Sequence, residues 1–391
     1  MTISGAGSLT ATSTNTSGIQ ISTPLTIIGS TITVVGEPGW SGHGINAKNL
    51  SIISATVSSA GYYGIQAGEI SITNSTVTAT GLSDAAIYSY ANTIIENSIV
   101  TALSGTYGLN VSQNITITGG KITATGSGGF GIYSMYGSVD INSSTVIATG
   151  GWGAGIQSGS TVDIENSVVN ADSGYNGIYA GTALSITGST VTATATSYNA
   201  IISTSGTISL MNSIVEAVGG TNGINAGLDV TITGGTITAE GASGYGINAP
   251  AAADIIINGG TIKASGNSAF AGSPYSLADA SLSKNPVASA GGAPLQQLII
   301  PDQPKVQSVF IDLPPMTNYN ISANHPSDDD LYLWVPAGVT AAQVIVTLTP
   351  ILPPPKTGDN FPFAALTALM AVTAAGGFVL LRKKTARQVQ E

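Results

Sequence analysis

The side chains in this 391-residue sequence that could do chemistry are sparse, and most are carboxylates. Asp140, Asp163 and Glu165 are the one acidic group that recurs at matching places in the sequence pattern described below. Paired carboxylates serve general acid–base cleavage of glycosidic bonds, and with further oxygen ligands they hold Ca²⁺. Elimination at an acidic sugar also needs a Lys or Arg base. Residues 25–270 contain only Lys48, Lys121 and Lys263, far apart, and the first Arg is Arg382. These acids therefore read as solvated surface charge, with weak Ca²⁺ binding as the other use and no other cofactor implied. His43 and His325 have no triad partners in sequence, and the absence of Cys removes thiolate metal sites and disulfide frameworks. Asp328, Asp329 and Asp330 read as a polar turn, with a Ca²⁺ site as the alternative.

The richer signal is aromatic. Trp40, Tyr62, Tyr63, Tyr107, Phe130, Trp152, Tyr175, Tyr198 and Tyr245 lie in the short stretch leading into a small residue followed by Ile or Leu. Rings beside Asn, Ser and Thr suit sugars, since ring faces take C–H groups while amides and hydroxyls take hydroxyl groups. The same rings could equally pack on each other and cover turns. Nucleic acid is a poor partner for a chain with a formal charge of −10 and no basic patch.

What positions these residues is a repeat. Eleven apolar triplets end at Ile27, Ile52, Ile72, Ile95, Ile117, Ile141, Ile164, Ile186, Leu210, Ile232 and Ile257, in steps of 20 to 25 residues, with a weaker copy at Ile3. Five residues later comes Ile or Val, as at Val57, Val100, Ile122 and Val169, and two further on comes Ala from Ala79 onward. A Gly/Ala–Ile/Leu pair follows, as at Gly131–Ile132. Alternation at period two is strand geometry with one face buried. The Asn-Ser and Gly-Gly pairs between the first two strands are turn formers. Strands of three to five residues need partners, and stacking one unit on the next supplies them. The expected fold is all-β: a parallel β-helix of about 11–12 coils over residues 1–270, a rod of about 50 Å at an inter-strand spacing of ~4.8 Å.

The columns resemble the right-handed, pectin-lyase-like β-helices of bacterial surface proteins. That class includes polysaccharide lyases and hydrolases, so the resemblance implies the fold and leaves activity open. The string "GSGGFG" (126–131) is not followed by a helix pattern, so it reads as coil turn and not as a dinucleotide loop. The Ca²⁺-binding nonapeptide of β-roll repeats also fails, because Tyr133 stands where its Asp belongs.

Beyond the coils, residues 271–305 read as a worn last coil, a cap or a connector, and 306–350 as a small β-rich module. Residues 351–360 form a Pro-rich tether. Residues 361–381 carry no charge and are long enough to cross a bilayer as a helix, and the basic tail 382–391 follows on the cytoplasmic side. Pro354, Pro355, Lys356, Thr357 and Gly358 immediately precede that span. Pentapeptide, apolar span and basic tail together resemble the sorting signal of Gram-positive cell-wall proteins. The resemblance implies that a sortase cleaves after Thr357 and joins it to peptidoglycan, so that the membrane is held only transiently. Pro354 stands where that family usually has Leu, which bears on the sortase class. Such a signal requires export, yet "MTISGAGSLTATST" has no basic and apolar leader. The expectation is that this chain is the C-terminal part of a longer protein. The function expected is a non-enzymatic, adhesin-like or carbohydrate-binding protein at the cell surface, meeting glycans or a host or environmental surface. A lyase or hydrolase of acidic polysaccharides is one alternative, and a passive stalk for an N-terminal domain is another.

Overall fold

A computed structural model describes residues 1–39, 42–250, 253–257 and 260–271, and beyond them strands as far as Thr347. The coils form a parallel β-solenoid of about 11 turns. One coil shows the plan: Val139–Asn142, Thr145–Gly150 and Ile156–Ser158 are its three strands. They pair in parallel and in register with Val162–Glu165, Val168–Ser173 and Ile178–Ala180 of the next coil. The first two strands of every coil join one 22-stranded sheet, and the third strands form a separate sheet of 12. The weak copy at Ile3 belongs to this stack, because Ile3 is the register partner of Ile27.

The core is what period-two alternation demands. Ile27, Ile52, Ile72, Ile117 and Ile186 are fully buried along one column, Val77, Ile122 and Val146 along a second, and Ile45, Ile65, Ile132 and Ile178 along a third. Each such side chain contributes about 1.5–3 kcal/mol on burial. Ala79, Ala124 and Ala193 are as deeply buried, where the lumen is too narrow for more. Gly131 stands at a close approach: a Cβ there would lie 2.6 Å from the Gly155 carbonyl and 2.6 Å from the Thr149 nitrogen.

The corner between the first and second strands is closed by a residue with positive φ, such as Asn74 (49°), Asn97 (47°), Asn166 (49°) or Asn212 (49°). Asn tolerates this left-handed conformation better than most residues. The serine that follows turns inward. Ser75, Ser98, Ser167, Ser189 and Ser213 are buried, and their hydroxyls bridge coils. The Ser75 amide donates to Ser98 Oγ (3.0 Å), Ser144 to Ser167 (3.1 Å), Ser167 to Ser189 (3.0 Å) and Ser189 to Ser213 (3.2 Å). Each hydroxyl donates in turn to a carbonyl of its own coil, as Ser98 Oγ does to Glu96 (2.7 Å) and Ser167 Oγ to Glu165 (2.6 Å). Polar groups that the turn would orphan are thus satisfied without water. Gly119–Gly120 and Gly234–Gly235 take the place of the Asn-Ser pair in two coils, and the chain runs on as one 12-residue strand both there, in Ile115–Gly126 and Val230–Gly241, and across two Asn-Ser corners, in Thr93–Ser104 and Ile208–Gly219.

Pairing continues past Phe270. Ser273–Ser276 joins Asp254–Ile257, and Ala280–Leu282 joins Gly260–Ser265. In the 306–350 stretch, Ser308–Ile311 pairs antiparallel with Thr317–Asn320 and Val344–Thr347. Leu331–Pro336 pairs antiparallel with Leu295–Ile300. Among the described residues no helix is long and apolar enough to cross a membrane. The 361–381 span, the basic tail and the pentapeptide Pro354–Gly358 lie outside the described residues, as does Trp40.

Candidate functional site

Among the described residues, the aromatic rings that touch one another do so in separate groups. The first contains Tyr62 and Tyr63, their rings 5.0 Å apart edge to face, with His43 centred 5.2 Å from Tyr63. Tyr63 stacks on Tyr88 of the next coil at 4.9 Å, and Tyr88 meets Tyr90 edge to face at 4.8 Å. The second contains Tyr107, Phe130 and Tyr133, with Phe130 and Tyr133 stacked at 4.6 Å and Tyr107 parallel to Phe130 at 5.7 Å. Tyr175 and Tyr198 pair at 4.0 Å. Trp152 is 85% exposed, and Tyr175, Tyr198 and Tyr245 are exposed as well. Two kinds of ring therefore occur. Tyr62, Tyr63, Tyr107 and Phe130 are buried or half-buried in packed groups, whereas Trp152, Tyr175, Tyr198 and Tyr245 are open to solvent.

The packed groups have a common construction. A loop ring lies over a third-strand tyrosine: Tyr63 over Tyr88 and Tyr107 over Tyr133 from the coil before, and Phe130 over Tyr133 within the same coil. Ile87-Tyr88-Ser89 pairs in register with Leu109-Asn110-Val111, and that strand with Ile132-Tyr133-Ser134. Ile156-Gln157-Ser158 and Ile178-Tyr179-Ala180 continue the column. Tyr88, Tyr90, Tyr133, Tyr136 and Tyr179 escape a search confined to the loop before the Gly–Ile pair. Tyr88, Tyr133 and Tyr179 stand between the inward third-strand Ile and the small residue after it, while Tyr90 and Tyr136 follow that small residue and have no fixed place in the repeat.

Charge in the first group is perturbed by burial. Tyr62 and Tyr63 hydroxyls donate to Asp84 Oδ2 at 3.5 and 3.3 Å. Burial pushes the Asp84 carboxyl above its ordinary value, and these two bonds oppose the shift. Burial, with Asp84 beside it, raises the Tyr63 phenol far above its usual range. His43 is lowered by burial, and its Nδ1 is buried without a hydrogen-bond partner. Two other buried oxygens in this region lack partners: Gln66 Oε1 and Asn110 Oδ1. Gln66 donates through Nε2 to Tyr90 Oη at 2.7 Å.

Further along the stack, the residue before the Gly/Ala–Ile pair becomes a buried asparagine. The Asn199 amide donates to Asn176 Oδ1 (3.1 Å), and Asn222 Nδ2 donates to Asn199 Oδ1 (2.8 Å). The Tyr245 amide donates to Asn222 Oδ1 (2.8 Å). These amides are saturated by each other and by backbone.

The carboxylates lie elsewhere, on the first strands. Asp140 and Asp163 are register partners, and Glu165 is opposite Asn142. Ser138 Oγ donates to Asp140 (2.9 Å) and Asn142 Nδ2 to Glu165 (3.1 Å). Burial, with a smaller contribution from Asp140, raises Asp163. Among the described residues no three His, Cys, Asp or Glu side chains converge on a metal-sized site. A shallow depression of about 260 Å³ beside Thr26, Ser51, Ser71 and Ile94 also lies on the first strands, away from the ring groups.

No protein-family model matches the chain, and neither a curated protein nor a solved structure matches it.

Proposed function

We infer that this solenoid is a non-enzymatic, adhesin-like surface protein that binds glycans and is held on a Gram-positive cell wall through the Pro354–Gly358 signal. The observation that carries the binding half is the gathering of aromatic rings and amides on the third-strand side of the coils. Trp152, Tyr175, Tyr198 and Tyr245 are open to solvent there, and Tyr88 and Tyr133 are backed by loop rings. Such surfaces take sugars through ring faces and side-chain hydrogen bonds. The anchoring half rests on the ordered pentapeptide, uncharged span and basic tail of the sequence.

A glycan array probed with the full chain tests binding, and failure to retain any glycan removes the binding half. Mass spectrometry of wall-released protein tests anchoring: a C-terminus at Thr357 joined to a peptidoglycan fragment is expected, and a Thr357→Ala variant is expected in the membrane fraction. Incubation with polysaccharides, with and without Ca²⁺, is expected to release no products; depolymerisation would establish the enzyme instead.

A further inference from the structure

Rings and amides alternate along the outward column of the third strands with unusual regularity. Gln66, Tyr88, Asn110, Tyr133, Gln157 and Tyr179 are successive register partners, one per coil. At one coil per ~4.8 Å, the tyrosines recur every ~9.6 Å. Two are held flat, Tyr88 by Tyr63 at 4.9 Å and Tyr133 by Phe130 at 4.6 Å. The amides between them are not inert spacers. Gln66 and Asn110 are each only 7% exposed, and each has a carbonyl oxygen with no donor. Further along the same column, by contrast, the Asn225 oxygen is used: it accepts from Asn248 Nδ2 at 2.5 Å. A buried acceptor left open beside flat rings is a standing demand for a donor.

The charge of the coils limits who can bring it. Residues 1–270 hold twelve Asp and Glu against Lys48, Lys121 and Lys263. The carboxylate of the first ring group, Asp84, accepts from two tyrosine hydroxyls, at 3.3 and 3.5 Å, and from the Ala85 backbone. An acidic polysaccharide would meet a surface on which carboxylates outnumber lysines fourfold, and its carboxylates offer acceptors where donors are wanted. An extended pyranose chain advances by close to one coil rise per sugar, so every second sugar would reach a tyrosine.

We propose that Gln66, Tyr88, Asn110, Tyr133, Gln157 and Tyr179 form a linear site for an extended, uncharged polysaccharide running along the coil axis. Alternate sugars lie on the tyrosine rings, and hydroxyls of the intervening sugars donate to the amide oxygens as Gln66 and Asn110 turn their buried carbonyls outward. This rests on the glycan-binding reading and adds to it a place, a direction and a charge class.

The test is affinity electrophoresis and titration calorimetry of the full chain against a soluble mixed-linkage β-glucan and a glucomannan, with polygalacturonate as the charged probe. Retention by at least one neutral polymer is expected, unchanged at about 0.5 M salt, where exposed charges are screened. Tyr133→Ala and Gln157→Ala are expected to weaken it at least tenfold, and Asp140→Asn, on the first strands, to change it less than twofold. Gln157 is no member of a ring stack, so its variant leaves the stacked rings in place and keeps the test open if Tyr133→Ala fails to fold. Neutral binding that survives both column variants but is lost in Asp140→Asn overturns the site while leaving glycan binding intact. Tight binding of polygalacturonate in place of the neutral polymers overturns the charge class. No retention by either kind, together with a blank glycan array, overturns the site and the reading beneath it.

Discussion

The corner between the first and second strands and the loop that leads into the third are made from the same small residues, yet they obey different rules. Across the corner, the inner residue of the first strand is always followed five residues later by that of the second, as from Ile52 to Val57 and from Ile164 to Val169. Across the loop, the step from the inner second-strand residue to the third-strand Ile varies from eight (Val57 to Ile65) to thirteen (Ile32 to Ile45). The corner is dry and satisfied coil to coil by serine hydroxyls. The loop carries Tyr63, Tyr107, Phe130 and Trp152, and its length is free because nothing inside the lumen depends on it. The corner keeps one fixed spacing, while the loop changes length and surface chemistry around its own buried asparagines.

The sharpest way to break that contrast is to change length. One residue inserted between Asn166 and Ser167 shifts the alternation of the second strand and turns Val169 and Ala171 outward. Loss of the cooperative transition is expected, read by circular dichroism on heating. The same insertion after Gly151 is expected to cost no more than about 1 kcal/mol, since loop closure depends weakly on length. Next in size is Ser167→Val. It strips the Ser144 amide of its acceptor and forces a methyl into a closed corner, for about 2–3 kcal/mol by denaturant unfolding. An unchanged midpoint would mean that the serine column is decoration. Smaller again is Trp152→Ala, which should lie within about 0.5 kcal/mol of wild type because the ring is 85% exposed. Its glycan retention should nonetheless fall, since exposed rings are the ones free to take sugars.

The smallest effect is in pH, and the two regions move oppositely. Asp163, on the first strands, has its pKa raised by burial. Its protonated form therefore favours the fold, and its contribution grows as pH falls from 7 toward the carboxylate range just above 3.8. His43, beside the rings, is lowered by burial, so its neutral form favours the fold and its contribution fades as pH falls below 6.5. His43→Gln should accordingly steepen the gain in melting temperature between pH 7 and 4, and Asp163→Asn should flatten it. Parallel profiles for the two variants would show that neither group matters.

The columns that fill the lumen were legible in sequence because a solenoid repeats its physics: Ile27 through Ile257 recur where every coil needs the same buried shape. The neighbouring of Asp140 and Asp163 followed from the same register. The ring groups were only half legible. Their loop members shift with loop length, and their strand members, Tyr88 and Tyr133, share a column with Asn110 and Gln157. No single spacing therefore marks them. The buried serines were hidden for another reason. "NS" spells a turn, but which of the two side chains enters the core depends on the left-handed backbone at Asn97 or Asn166, which sequence does not display.

Every hydrogen bond between coils, from the strand ladders to the serine and asparagine bridges, points along the axis of the stack. A tug between the two ends of the described coils would therefore pull those bonds in series. The stack should yield like a column of coins, one layer peeling at a time at nearly constant force, instead of resisting as a sheet does when its strands are sheared together. Each coil released would add its own contour length, so the solenoid would pay out slack while the layers beneath stayed folded.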